Sequence, residues 1–450
     1  MPRLPLLFLS LLLTYLLTIG AAPMAAAQIG AALDTAPAPA QTARAFAELD
    51  STWAAPRAWL WGRTLRGAMM FVDPSTRAAY GNRPGLPAIL PDSIPIANTA
   101  VSWGGVRWSM VRLPLPADRA HRLDLLMHES FHRIQDSLGL PASDPTLGYL
   151  DTREGRTLLR LELRALASAV SKPVGDRVYD LRNALAFRAR RYALHPGEDS
   201  LEHALEWNEG LAEFTGVYAS GADLDTAYLP GIVRADTIFP TFTRSFAYLT
   251  GPLYGVLLSQ RQPDWPQHIT LRDNFGDLIR RVYGIPVATG ALPPASGASA
   301  PGGSASAVGS SASAMGALPP ASAYQGDAIR AQEAAREARH LAKEREYRKS
   351  LVQGPVLVIA LEHMQISFNP SILFDLGAAG TVYPTMIVGD TWGTLRVTGG
   401  ALMKDWRVVT VPLGPDTLRG PGWALTLNPG WRVVPGPRAG DRQLVREGKP

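Results

Sequence analysis

The stretch from Thr289 to Ala323 limits what this 450-residue chain can fold into. It is dominated by Gly, Ala, Ser and Pro, and it repeats Gly-Ala-Leu-Pro-Pro-Ala-Ser at 290–296 and 316–322. Such a composition buries too little surface to offset the entropy lost on ordering it. The chain is therefore expected to fold as separate bodies. Residues 28–288 form the first, 289–325 a flexible linker, 326–352 a mixed-charge helix with a thin Ala/Leu stripe, and 353–450 the second body. Apolar spacing before the linker is mainly helical. After Gly354 it changes to short β-type runs, including Val356 to Leu361, Thr394 to Val397, Arg407 to Val411 and Trp423 to Leu427, parted by Gly, Pro and Asp turns. The predicted class is α+β: a mainly helical body, a linker, and a small antiparallel β-sandwich or barrel.

Within the first body, Leu125 to Gln135 carries His128-Glu129-Ser130-Phe131-His132, an H-E-x-x-H pattern. Residues four apart share a helix face, so His128 and His132 can direct two imidazoles at one ion. Glu129 projects roughly 100° away and can reach a water on that ion, where a general base is needed. A catalytic zinc site usually takes a third protein ligand and keeps one position open. Trp207-Asn208-Glu209-Gly210-Leu211-Ala212-Glu213 supplies Glu209 as that ligand. Glu213, one turn later, is placed to accept the spare N–H of a metal-bound histidine.

The pair H-E-x-x-H and N-E-x-x-x-E resembles the gluzincin zinc metallopeptidases, in which the first Glu of the later motif binds the metal. Tyr248-Leu249-Thr250-Gly251 is similar to the Y-x-x-G segment of gluzincin aminopeptidases. That resemblance implies a zincin-like catalytic domain, one zinc ion, and a Tyr248 hydroxyl that stabilises the oxyanion. The matches span roughly 120–255. Two departures stand beside them. The interval from His132 to Glu209 is far longer than the aminopeptidase spacer. The strand before the zinc helix, Val106 to Leu113, has no carboxylate to hold a substrate α-amine. These departures favour an endopeptidase. Val101 to Leu113 reads as strand, Gly-Gly turn and strand; it is either a cleft-edge element that pairs with substrate backbone or an ordinary hairpin beneath the helix.

Residues 1–27 read as a signal peptide, with Arg3 before a long apolar run and Ala25-Ala26-Ala27 before Gln28. A retained anchor is the competing reading, since the run approaches spanning length. After cleavage no stable membrane span is expected. The chain has no cysteine, so core packing replaces disulfides, which suits a protein of the bacterial periplasm or one secreted to the medium. The net charge of +5 comes from interleaved Lys, Arg, Asp and Glu, so nucleic acid is not an expected partner.

Asp118 is expected to cap the zinc helix and Gly139 to end it. His121 reads as a surface histidine, His203 as a surface or second-shell residue, and Tyr254 as a packed ring. Arg153 to Val170 is a strong helix whose Glu162, Arg156, Arg160 and Arg164 read as a solvated face or ion-pair ladder. A single helix over about Ser200 to Ala219 is expected to carry Glu209. Trp392, Trp406 and Trp431 are either exposed binding residues or core.

The functional expectation is an exported zinc metallopeptidase. Zinc would sit on His128, His132 and Glu209, with Glu129 as base, Tyr248 at the oxyanion, and a peptide or protein as substrate. A catalytically silent, zinc-stabilised envelope binding protein is the alternative. An accidental H-E-x-x-H on a packing helix is a third reading.

Overall fold

A computed structural model describes residues 32–222, 228, 239–286, 320–368 and 372–448. The segments expected to be a signal peptide and, for the most part, the linker lie outside the described residues. The chain forms two compact units that part after Ala331, each with its own core. The described residues are mixed α+β: helices dominate the first unit and sheets the second.

In the first unit α1 (Ala38–Ala54) leads to a sheet of β1 (Met69–Val72), β2 (Ala79–Gly81), β3 (Thr99–Trp103) and β4 (Val106–Arg112), ordered β2-β1-β4-β3. All four residues of β1 are buried because both faces of the sheet are covered. Met69 and Phe71 enter the main helical core, whereas Met70 and Val72 join Trp108 and Met110 in a smaller cluster behind. β4 is paired on both sides, parallel to β1 and antiparallel to β3. The edge of the hairpin is therefore β3, and the strand leading to the zinc-motif helix is interior.

That helix, α2 (Arg119–Gln135), begins at Asp118, whose carboxylate accepts the His121 N–H, and Gly139 closes the following turn at φ 73°. It is followed by α3 (Arg153–Val170), α4 (Val178–Leu194) and α5 (Glu198–Leu205). The single helix expected over 200–219 is instead three pieces: α5, a π-turn at Glu206–Gly210, and α6 (Leu211–Ser220). Then come α7 (Ala247–Ser259) and α8 (Phe275–Tyr283), capped by Asn274. Pro252 lies inside α7 and has no N–H to give the carbonyl of Tyr248; the Tyr228 hydroxyl donates to that oxygen at 2.7 Å.

Of the two readings of the charged residues of α3, a solvated face or an ion-pair ladder, the structure shows ion pairs at Glu162 and Arg156. Glu162 is fully buried, Arg156 is 2% exposed and Arg160 4%. Charge periodicity reads as a wet face only when no partner is available, and α4 supplies Arg188 and Arg191 to Glu162.

The flexible linker expected to run to 325 ends earlier: Tyr324, inside that range, is buried and belongs with Ile285 and Ile329 to the helical core, because its ring and hydroxyl find partners there. The Tyr324 hydroxyl donates to Asp180 at 2.7 Å and accepts from Asn183 at 2.8 Å. The division between units falls within α9 (Gly326–Tyr347), which ends in a second π-turn.

The second unit packs two sheets around one core. One sheet runs β13-β14-β10-β9-β6: β6 (Gln365–Phe368), β9 (Met386–Asp390), β10 (Gly393–Val397), β13 (Arg419–Gly420) and β14 (Trp423–Leu427). The other runs β15-β16-β5-β12-β11-β8-β7: β5 (Val356–Ala360), β7 (Phe374–Asp375), β8 (Thr381–Tyr383), β11 (Ala401–Lys404), β12 (Val408–Pro412), β15 (Trp431–Pro435) and β16 (Arg442–Arg446). Leu357, Ile359, Val409 and Val411 from one sheet meet Val388, Leu395, Trp423 and Leu425 from the other, the period-two pattern of a sandwich. The pairing is antiparallel except where β16 runs parallel to β5. Trp392 is core and donates to the Ala360 carbonyl, Trp431 is half-buried, and Trp406 is 47% exposed.

Candidate metal centre

Three ligand atoms converge. His128 Nε2 and His132 Nε2 are 3.1 Å apart, and Glu209 Oε2 lies 3.5 Å from the first and 3.6 Å from the second. The two histidines come from consecutive turns of α2 and the carboxylate from the π-turn. Among the described residues these three form the one cluster of His, Cys, Asp or Glu with ligand atoms close enough to share a metal ion. A tetrahedral zinc with bonds of about 2.0–2.1 Å keeps its ligand atoms roughly 3.3 Å apart, close to this triangle.

The hydrogen bonds fix which nitrogens face inward. His128 Nδ1 is 3.0 Å from Glu213 Oε2, and His132 Nδ1 is 2.8 Å from Gln135 Oε1. Both partners are acceptors, so each Nδ1 carries a proton, and Nε2 of each ring is the atom turned towards Glu209. Burial acts against charge on these rings, but the contacts of His128 with Glu209 and Glu213, and of His132 with Glu209, prevail and raise both above the ordinary histidine value; a bound cation would take the place of the extra proton on each Nε2. The donor set of two imidazoles and one carboxylate suits zinc. Glu129 gives a further sign of fit: it is 3% exposed, and its Oε2 is buried without a hydrogen-bond partner, as is Glu213 Oε1.

The carboxylate ligand is held as firmly as the rings. Gln135 Nε2 donates to Asn208 Oδ1 at 3.0 Å, and Asn208 Nδ2 donates to Glu209 Oε1 at 3.0 Å. A chain of amides thus joins His132 to Glu209, two members of the triad that could hold a metal. Tyr248 approaches from α7: its hydroxyl donates to Glu209 Oε2 at 2.6 Å, and its ring lies parallel to that of His128 at 5.8 Å. The wider π-turn advances roughly 80° per residue instead of 100°, which directs Glu209 to the ligand point while Glu206 faces the opposite side.

Two close helix crossings create this convergence. At Gly216 of α6 an added Cβ would meet Asp124 Oδ1 at 2.1 Å, so only glycine lets α6 approach α2 closely enough for Glu213 to reach His128. The π-turn and α7 meet in the same way at Gly210 and Gly251.

The electrostatics follow from burial and mutual contact. Burial pushes the Glu129 carboxyl above its ordinary range; the charges of His128 and His132 act against this, and those of Glu209 and Glu213 reinforce it. Burial alone would raise Glu209 too, but its contacts with His128 and His132 hold it well below the usual carboxylate range. Burial and the neighbouring Glu209 push the Tyr248 phenol well above its usual value, so it stays protonated at neutral pH.

The structure thus places Glu213 and Tyr248, together with the three expected ligands, around one point, and puts Glu129 on the same buried turn of α2. His121 lies apart, exposed and bonded to Asp118. His203 packs against Trp207, with ring centroids 4.4 Å apart and the planes tilted by 53°. Sequence reasoning missed Gln135 and Asn208. The signal was present: Gln135 is three residues after His132 on one helix, and Asn208 adjoins Glu209. No family model, no curated protein and no solved structure matches the chain.

Proposed function

We propose that the protein is an exported zinc-dependent metallopeptidase, with endopeptidase action favoured. The observation that carries this reading is the convergence of His128 Nε2, His132 Nε2 and Glu209 Oε2 within 3.1–3.6 Å, on the helix that holds the unpartnered Glu129 Oε2. A zinc ion held there would polarise the scissile carbonyl and lower the pKa of a bound water towards ~7.

Glu129 takes the proton from the attacking water and hands it to the leaving amine. Its burial supports both halves of that task, because a carboxyl raised from its ordinary value holds a proton long enough to deliver it. Tyr248 stays protonated, and in the transition state its one O–H would turn from Glu209 to the oxygen that gains charge. Glu213 and Gln135 hold the tautomers of His128 and His132. Extended substrate is accepted along the free edge of β3, and the neighbouring β4 carries no carboxylate to read a free amine.

The alternative, a catalytically silent zinc-stabilised envelope binding protein, draws on one observation: Glu129 and Tyr248 are only 3% and 1% exposed. One experiment separates the two readings. Wild-type protein carrying one zinc should cleave an unstructured polypeptide, and Glu129→Gln should keep the zinc and lose the cleavage. Zinc-loaded wild type that leaves the polypeptide intact would remove the peptidase reading.

A further inference from the structure

Behind the π-turn lies a sealed lattice of charge that the reaction does not use. Glu162, Arg191, Glu202 and Glu206 are fully buried and Arg188 is 4% exposed. Arg188 donates to Glu206 through both terminal nitrogens, at 2.9 and 2.5 Å, and through Nε to Glu162 at 2.7 Å. Arg191 joins Glu162 at 2.6 Å and grips Glu202 with two bonds of 2.7 Å. The Tyr254 hydroxyl of α7 completes Glu162 at 2.8 Å. Two guanidinium groups therefore bridge three carboxylates drawn from α3, α5 and the π-turn.

One contact of this lattice reaches towards the metal centre. Thr250 Oγ1 of α7 donates to Glu206 Oε1 at 2.6 Å. Glu206 opens the π-turn that contains Glu209, and Thr250 is two residues after Tyr248. The rear bond between Thr250 and Glu206 and the front bond between Tyr248 and Glu209 therefore join the same two segments. Gly210 and Gly251 touch between them. Glu206 cannot turn to follow a shift of α7, because Arg188 holds both of its oxygens.

We propose that Glu206 and Thr250 are positioning residues of the metal centre: their bond fixes the height of α7 against the π-turn, so that the Tyr248 hydroxyl meets Glu209. This inference rests on the metal site proposed above and does not require turnover.

The test is a double-mutant cycle on zinc affinity, read by competition with a chromophoric chelator. Tyr248→Phe removes the front bond and should weaken zinc binding by about 10-fold, the lower range for a partner of a metal ligand. Thr250→Val keeps the side-chain shape but removes the rear bond, and should weaken binding by a similar factor. If Thr250 acts through Tyr248, the double variant should remain near 10-fold and not reach the ~100-fold of independent effects. Thr250→Ser, which retains the hydroxyl, should bind zinc like wild type. A merely structural threonine would give additive losses in the double variant. Additive losses, or a Thr250→Val variant with wild-type affinity, would overturn the proposal even if peptide cleavage is observed. Conversely, wild type that binds zinc without cleaving peptide, yet gives the non-additive cycle, would remove the peptidase reading and sustain this one. Wild type that fails to bind zinc would overturn both.

Discussion

Gly210 and Gly251 meet backbone to backbone: a methyl group added to Gly251 would lie 2.3 Å from the Gly210 carbonyl oxygen and 2.4 Å from its Cα. Both glycines sit beside a site residue, Gly210 directly after Glu209 and Gly251 three after Tyr248. The contact sets how closely α7 can approach the π-turn, and so whether a tyrosine hydroxyl can reach the carboxylate at 2.6 Å.

Gly251→Ala is accordingly expected to destabilise. In an unobstructed helix interior this change stabilises by ~0.5–1 kcal/mol. Here the methyl group forces two backbones apart, and a loss of about 1–3 kcal/mol is expected, with lower zinc affinity. Thermal unfolding with and without zinc checks this, and a variant more stable than wild type would refute the role given to the contact.

Removing a ligand should remove the metal. His132→Ala and Glu209→Ala leave two protein ligands and should lose bound zinc and the stability it confers, whereas Glu129→Gln should retain both. Elemental analysis after exhaustive dialysis decides this, and full zinc in the Glu209 variant would exclude Glu209 as the third ligand.

The kinetic consequences differ in size. Glu129→Gln should lower peptide hydrolysis by ~10²–10⁴-fold, the usual contribution of a general base, with little change in substrate affinity. Tyr248→Phe should cost about 10²-fold, the scale of one lost oxyanion donor. Both losses should appear in kcat and not in KM, because both groups act mainly on the transition state. Measuring both constants at saturating zinc tests this.

Cleavage within 289–319 should nick the chain without releasing the second unit. Residues on both sides of that segment, Ile285 and Tyr324, pack into one helical core. The two fragments should separate in denaturing electrophoresis but co-elute in native gel filtration. Independent elution of the C-terminal fragment would show that the docking of Tyr324 is too weak to hold it.

Asp441 should make the second unit sensitive to acid. Burial raises its pKa, but bonds from Arg438 and the Val356 N–H outweigh this and hold it below its ordinary 3.8. A lowered folded-state value means that the stabilisation is fully present above about pH 3.8 and is lost as pH falls through the folded value. Asp441→Asn should cost about 1–2 kcal/mol at pH 7, and the gap from wild type should close in strong acid. Denaturant unfolding of the full chain across pH 7 to 2.5 provides the comparison.

Much of this site could be read in one dimension. His128 and His132 share a face because a helix repeats every 3.6 residues, and the Asp118 cap and Gly139 stop are local chemistry. Glu213 follows Glu209 by one turn, so its partner role was also readable from spacing. The alternating runs after Gly354 likewise foretold a small antiparallel β body, sandwich or barrel, because period two is set by the pleat; the two sheets around one core make it a sandwich.

What the tertiary structure decided is where segments distant in sequence touch. The sequence left the charges of α3 as either a solvated face or an ion-pair ladder, because the pattern is the same whether Glu162 faces water or the arginines of α4. The π-turn at Glu206–Gly210 leaves no mark in apolar spacing, yet it separates the direction of Glu206 from that of Glu209. Nor could the sequence show that Gly251 meets Gly210, or that Gln135 and Asn208 link His132 to Glu209, since such contacts depend on helix crossings. The physical reason is one of range: capping and periodicity act within a turn or two of backbone, whereas ligand convergence depends on close packing between helices.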